Sequence, residues 1–204
     1  MTMRMVTRIF VFVALLGLAV APGTVAQNAT PPVGEELPAC ANGSRANGAE
    51  AEDSPEMPEW QTLAMTNART GEDFAISDFL GCAVYVETMA TWCINCLMQM
   101  GHVAEALPNL DPDRHVVIAI SVETDLADED LARYADNSNL DWIFSVASPE
   151  VLRAIVDEFG RDAIVPPSTP HVIVNPDGTA GELLTGLKGP DEIVEIMNEA
   201  SGSE

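Results

Sequence analysis

The chain is 204 residues long and carries 32 acidic residues against 9 basic ones, a net charge of −23. That balance excludes a nucleic-acid phosphate surface, which needs clustered Lys and Arg, and the length allows one domain with a real core plus appendages. Four cysteines are too few for a disulfide scaffold, so each needs its own explanation.

Residues 1–26 contain no acid; their only charges, Arg4 and Arg8, precede the apolar run from Ile9 to Ala21. A short basic region, an apolar run and the small-residue exit Thr24-Val25-Ala26 make a secretory signal peptide with a mature start near Gln27. The alternative is an uncleaved N-terminal membrane anchor through residues 9–25, although Gly17, Pro22 and Gly23 leave it short of about 20 apolar residues. On either reading the remainder is exported, to the periplasm or the outer face of the cytoplasmic membrane. Residues 27–58 are rich in Ala, Asn, Gly, Pro and Glu and almost lack large apolar side chains. Such a segment cannot offset its ordering entropy and reads as a disordered acidic tether. The folded domain is then 59–204.

Within it, Trp60 to Thr66 and Asp73 to Ile76 flank the turn residues Asn67 and Gly71 and suggest an entry hairpin. Cys82 to Met89 is a short apolar run, hence a buried strand. Cys93 to Leu107 has apolar residues at helical spacing and stops before Pro108. His115 to Val122 is a second buried strand, followed by a helix over Asp125 to Ala135. Trp142 to Val146 is a third strand, and Pro149 to Phe159 a helix opened by proline. His171 to Val174, the turn Asn175-Pro176-Asp177-Gly178 and Thr179 to Leu184 form a closing hairpin, and Asp191 to Ala200 a last helix. Strands alternating with helices, then an antiparallel hairpin, predict an α/β fold with a central mixed β-sheet flanked by helices on both faces.

The informative stretch is Glu87-Thr88-Met89-Ala90-Thr91-Trp92-Cys93-Ile94-Asn95-Cys96. A C-x-x-C where a buried strand gives way to a helix puts Cys93 at the helix N-terminus, where unpaired N–H groups and the macrodipole favour a thiolate. Cys96 lies one turn along, close enough to close a disulfide. Cys93 would attack a substrate disulfide and Cys96 would resolve the mixed intermediate.

Ala90-Thr91-Trp92-Cys93-Ile94-Asn95-Cys96 resembles the A-T-W-C-x-x-C of the exported TlpA-like branch of the thioredoxin superfamily. Ser168-Thr169-Pro170-His171, followed by a strand and the turn Pro176-Asp177-Gly178, is similar to the family's second motif. The likeness runs over roughly residues 59–200. It implies a thioredoxin-like fold and a protein thiol-disulfide oxidoreductase acting on disulfide-bearing proteins. It also implies a cis Pro170 that exposes the Thr169 backbone to an incoming peptide, with Trp92 shaping the docking surface. Glu87, six residues before Cys93, takes the place of the family's buried acid and would have a raised pKa and relay the Cys96 proton; the alternative is a structural acid.

Ile94-Asn95 is neither the Gly-Pro of thioredoxin nor the Pro-His of the strong oxidants. With no basic residue between the cysteines a reductant is favoured, and a disulfide-forming oxidant is the alternative. An exported reductant implies a membrane thiol-disulfide electron donor, and cytochrome c maturation is a family role.

Cys40 and Cys82 form a possible structural disulfide pinning the tether to the domain. Met98, Met100 and His102, with Cys93 and Cys96, are soft ligands that open a second class, a copper(I) metallochaperone. Core packing accounts for the methionines as well. No phosphate loop, zinc spacing or Ser-His-Asp order stands out, so neither cofactor nor resident metal is expected.

Overall fold

The structure, a computed structural model, describes residues 57–202. The leader and the tether up to residue 56, Cys40 included, lie outside the described residues. The chain enters through one helical turn, α1 (Glu59–Thr62), and a small antiparallel pair, β1 (Met65–Thr66) and β2 (Asp73–Phe74). The hairpin expected from Trp60 is thus shorter than predicted. Trp60 belongs instead to α1, buried edge-on against Phe159 with ring centroids 5.0 Å apart.

β3 (Ala83–Met89) and β4 (His115–Ser121) run parallel, and every residue of both is buried. Continuous apolar and β-branched sequence is what a strand covered on both faces requires. β5 (Ile143–Val146) adds parallel to β4 and β6 (His171–Val174) antiparallel to β3, giving the order β5-β4-β3-β6. The predicted mixed sheet is therefore present.

α2 (Ile94–Ala106) links β3 to β4, and α3 (Asp128–Asn137) links β4 to β5. Both crossovers step in the same direction along the sheet, which places both helices on one face. α5 (Pro190–Ser201) joins them there, with Ile193 and Met197 packed among Ala83, Tyr85, Val103 and Val117. α4 (Pro149–Phe159) must return past β3 to reach β6, and it covers the other face. Its Val151, Ala154 and Ile155 meet Val84, Val86, Ile118 and Ile120. Its start is fixed by Ser148, whose Oγ accepts the Val151 N–H at 3.2 Å.

The strand predicted over Thr179 to Leu184 reduces to two isolated bridges, Val174 with Ala180 and His171 with Leu184. Between them the pairing slips by one residue, and the extra residue interrupts the ladder as a bulge does. α3 also begins three residues later than predicted, with Asp128, Glu129 and Asp130 in its first turn, where the helix dipole favours negative charge.

Candidate active site

The site forms at the C-terminal end of β3. The strand delivers Ala90 to Trp92, and α2 begins one residue after Cys93. Cys93 and Cys96 are joined by a disulfide with Cα atoms 5.3 Å apart. Cys93 is the N-cap of α2, its Sγ accepting the Cys96 N–H at 3.1 Å. The sulfur at position 93 thus sits on the positive end of a 13-residue helix. Cys96 is fully buried, and its Sγ lies 3.1 Å from the Pro166 carbonyl oxygen. A carbonyl oxygen only accepts, so in the reduced protein it would be a partner for the Cys96 S–H. The two sulfurs therefore stand in different surroundings, Cys93 on the N-terminus of α2 and Cys96 buried against a carbonyl oxygen.

The surrounding loops are tied to this motif. Asn95 Nδ2 donates to the Pro167 carbonyl at 2.8 Å. The Thr91 N–H and Oγ1–H donate to Glu123 at 2.6 and 3.2 Å, and Glu123 is seated by its own N–H on Ser121 Oγ at 3.2 Å. Glu123 was not singled out in the sequence. Its signal was its place, an acid just past the C-terminal end of a buried strand parallel to the one bearing the motif, which is where ligands and reactive groups gather in such sheets.

Glu87 is 2 % exposed, and burial raises its carboxyl well above the usual carboxylate range. The raised value expected from sequence is therefore present. Tyr134 is pushed up to about 12, first by burial and then by the charges of Glu87 and Glu123.

One expectation is corrected. All described peptide bonds are trans, the Thr169–Pro170 bond included. The chain instead leaves the Pro166-Pro167-Ser168 turn through Thr169 in the left-handed region, φ 48° and ψ 58°. The Thr169 N–H donates to the Pro166 carbonyl at 2.8 Å, and its own carbonyl lies 2.9 Å from His171 Nδ1. The Thr169 backbone is thus buried and engaged, and no free edge is offered to a peptide there.

What the site does expose is apolar. Trp92 is 64 %, Ile94 68 % and Met98 48 % exposed, with Leu97 and Val165 also outward. These flank the disulfide from the α2 side and from the loop before Pro166. Single exposed apolar residues are ordinary, whereas a group around a reactive centre marks a contact surface.

The soft-ligand set does not converge. Met100 packs in the core beside Cys96, Met98 points outward, and His102 Nδ1 is held 2.7 Å from the Lys188 carbonyl. Among the described residues no group of three His, Cys, Asp or Glu side chains is placed to hold a metal ion. Cys82 is buried and disulfide-bonded, and Cys40, its expected partner, lies outside the described residues. No described helix is long and apolar enough to cross a membrane.

No protein-family model matches the sequence, and no curated protein matches it significantly. Solved structures do match. A thioredoxin-family thiol:disulfide interchange protein from Chlorobium tepidum TLS aligns with a TM-score of 0.57 at 18 % identity, covering 76 % of this chain and 100 % of that one. BsSco, a member of the Sco family of cytochrome c oxidase assembly proteins, aligns at 0.56 and 19 %, covering 74 % and 97 %. A secreted Mycobacterium tuberculosis disulfide oxidoreductase homologous to E. coli DsbE aligns at 0.54 and 14 %, covering 69 % and 98 %. With the four-stranded mixed sheet and the C-x-x-C at the head of α2, these likenesses show that the chain has a thioredoxin-like fold.

Proposed function

We propose that the protein is an exported thiol-disulfide oxidoreductase that reduces protein disulfides. The observation that carries this reading is the Cys93–Cys96 disulfide at the N-terminus of α2, with Cys93 as the cap. In the reduced protein the Cys93 thiolate attacks one sulfur of a substrate disulfide; that S–S bond breaks, and the other substrate sulfur leaves as a thiolate. Cys96 then gives up its proton, with Glu87 as a relay that passes its own proton on, and attacks Cys93 Sγ. The second substrate sulfur leaves, and the Cys93–Cys96 bond re-forms. Two electrons have passed from the cysteine pair to the substrate. A membrane thiol-disulfide donor restores the dithiol.

Trp92, together with Ile94, Leu97, Met98 and Val165, supplies the docking surface, and the Pro166 carbonyl lies against Cys96. With residues 1–26 as a leader, the protein is exported to the periplasm or the outer face of the cytoplasmic membrane, and a disulfide linking Cys82 to Cys40 would fasten the tether to the domain. The finer role we favour is keeping thiols reduced during cytochrome c maturation. The test is trapping: Cys96→Ser accumulates a covalent, reductant-sensitive mixed disulfide with a partner protein, and Cys93→Ser traps nothing. Absence of any adduct with Cys96→Ser refutes the reading.

A further inference from the structure

Two buried side chains on the face of the sheet that carries α2 are each left with one unpartnered polar atom, and they stand opposite one another. Glu87 on β3 and His171 on β6 are register partners. The Thr88 N–H bonds the Pro170 carbonyl at 3.2 Å, so the hydrogen-bonded pairs of this ladder fall at even positions of β3. Glu87 and His171 are then a non-hydrogen-bonded pair, the type whose Cα atoms approach to about 4.5 Å and whose side chains share a face. Glu87 Oε1 and His171 Nε2 are both buried without a hydrogen-bond partner. The backbone sets the histidine tautomer: Nδ1 lies 2.9 Å from the Thr169 carbonyl, which only accepts, so the ring proton is on Nδ1 and Nε2 has a bare lone pair. The ring is stacked on Tyr85, centroids 5.1 Å apart and planes 17° from parallel. A neutral buried carboxyl has one O–H to donate and loses free energy if it finds no acceptor.

We propose that the Glu87 carboxyl donates its proton to His171 Nε2, through a bridging water or a small turn of the carboxyl, making His171 the positioning residue of the Glu87 relay. The significance of this pair, and the kinetic arm of its test, rest on the oxidoreductase reading above; the spectroscopic arms do not. With the proton held on the oxygen facing His171, the other oxygen would be free to take the Cys96 proton as that thiol leaves the Pro166 carbonyl. As that proton arrives, the one facing His171 passes to Nε2 and Glu87 stays neutral. The sulfur electron pair forms the Cys93–Cys96 bond, and the substrate thiolate leaves. The other titratable groups around the pair are Tyr85 from β3, Tyr134 from α3, Lys188 in the loop before α5 and Glu192 in its first turn. Burial above all lowers the His171 pKa, and Lys188 and Glu192, themselves paired at 2.6 Å, act on it in opposite directions.

The test is infrared spectroscopy of the oxidised protein, with the carboxyl C=O band of Glu87 assigned by its loss in Glu87→Gln. His171→Phe keeps an aromatic ring against Tyr85 and removes the acceptor; the band should move to higher wavenumber, as in a free carboxyl. His171→Gln, whose amide oxygen reaches toward the Nε2 position, should return it part of the way. Resolution by Cys96 of a mixed disulfide preformed at Cys93 should slow about tenfold in His171→Phe and recover in His171→Gln. A band unmoved in His171→Phe overturns the inference, and so does a moved band with an unchanged resolution rate. If His171→Phe does not fold, nitrogen-15 spectra of the wild-type ring decide: an Nε2 resonance at the position of a free acceptor overturns it. Neither spectrum needs turnover, so a protein without disulfide exchange would sink the oxidoreductase reading separately.

Discussion

Replacing Glu87 with Gln should stabilise the oxidised protein, and the gain should grow with pH. Glu87 is buried, has no ion-pair partner among the described residues, and its carboxyl is held by burial well above the usual range. In the unfolded chain the same carboxyl ionises near pH 4.3. Between that value and the folded one, the native state binds a proton that the unfolded state has released, so stability falls as pH rises, by about 1.4 kcal/mol per pH unit. Below about pH 4 both states are protonated and the penalty is absent. Gln keeps the shape and never ionises. The difference between variant and wild type should therefore be small near pH 4, widen by about 1.4 kcal/mol per unit above it, and level off once the folded carboxyl itself ionises. For a domain of this size each kcal/mol corresponds to roughly 2–4 °C in Tm. The assay is urea denaturation of both oxidised proteins from pH 4 to pH 8. The remaining acids contribute equally to both and cancel in the difference. A difference independent of pH would refute the assignment of Glu87 as a neutral buried acid.

Glu123→Gln should loosen the loop before the nucleophile. It converts the charge-assisted bond to the Thr91 N–H into a neutral one, a loss of about 1 kcal/mol, so the Thr91 amide should exchange with solvent several-fold faster; unchanged protection would contradict the clamp. Arg69 ties the β1–β2 turn to the segment before β5, donating to the Leu140 and Trp142 carbonyls and to Asp136 with its guanidinium over Phe144. Arg69→Ala should cost about 2–3 kcal/mol in urea denaturation because it leaves two part-buried carbonyls unpaired. Asp136→Ala, which breaks the ion pair at its exposed end, should cost under about 1 kcal/mol. Equal losses would mean that the ion pair, not the carbonyl contacts, holds the segment.

What was legible in the sequence was local or periodic. The C-x-x-C announced itself because Cys93 and Cys96 are one helical turn apart and β3 is apolar throughout, so the motif needed no distant partner to be placed. Glu87 was singled out by the resemblance, from its place six residues before Cys93, and the apolar strand around it supplied the reason for a raised pKa. Glu123 was not, because its task depends on β4 lying parallel beside β3 with Ser121 level with Met89, a register that no local pattern encodes. Trp60 was read as strand because four residues after Pro58 are too few to show a helical period. The Thr179–Leu184 segment alternates well enough to suggest a strand, yet a one-residue slip in its pairing with β6 breaks the ladder. The cis Pro170 came from a resemblance, and in this chain the left-handed Thr169 makes the turn instead. His171 gains its interest only from standing opposite Glu87.

The most direct test of the central claim is the reduction potential of the Cys93–Cys96 pair in purified 27–204, equilibrated in redox buffers with thiol state read by alkylation and mass. The account predicts a reversible two-electron couple near the thioredoxin value of about −270 mV. A couple near about −120 mV would reverse the direction of electron flow and make the protein an oxidant. The absence of any reversible couple would contradict the account outright.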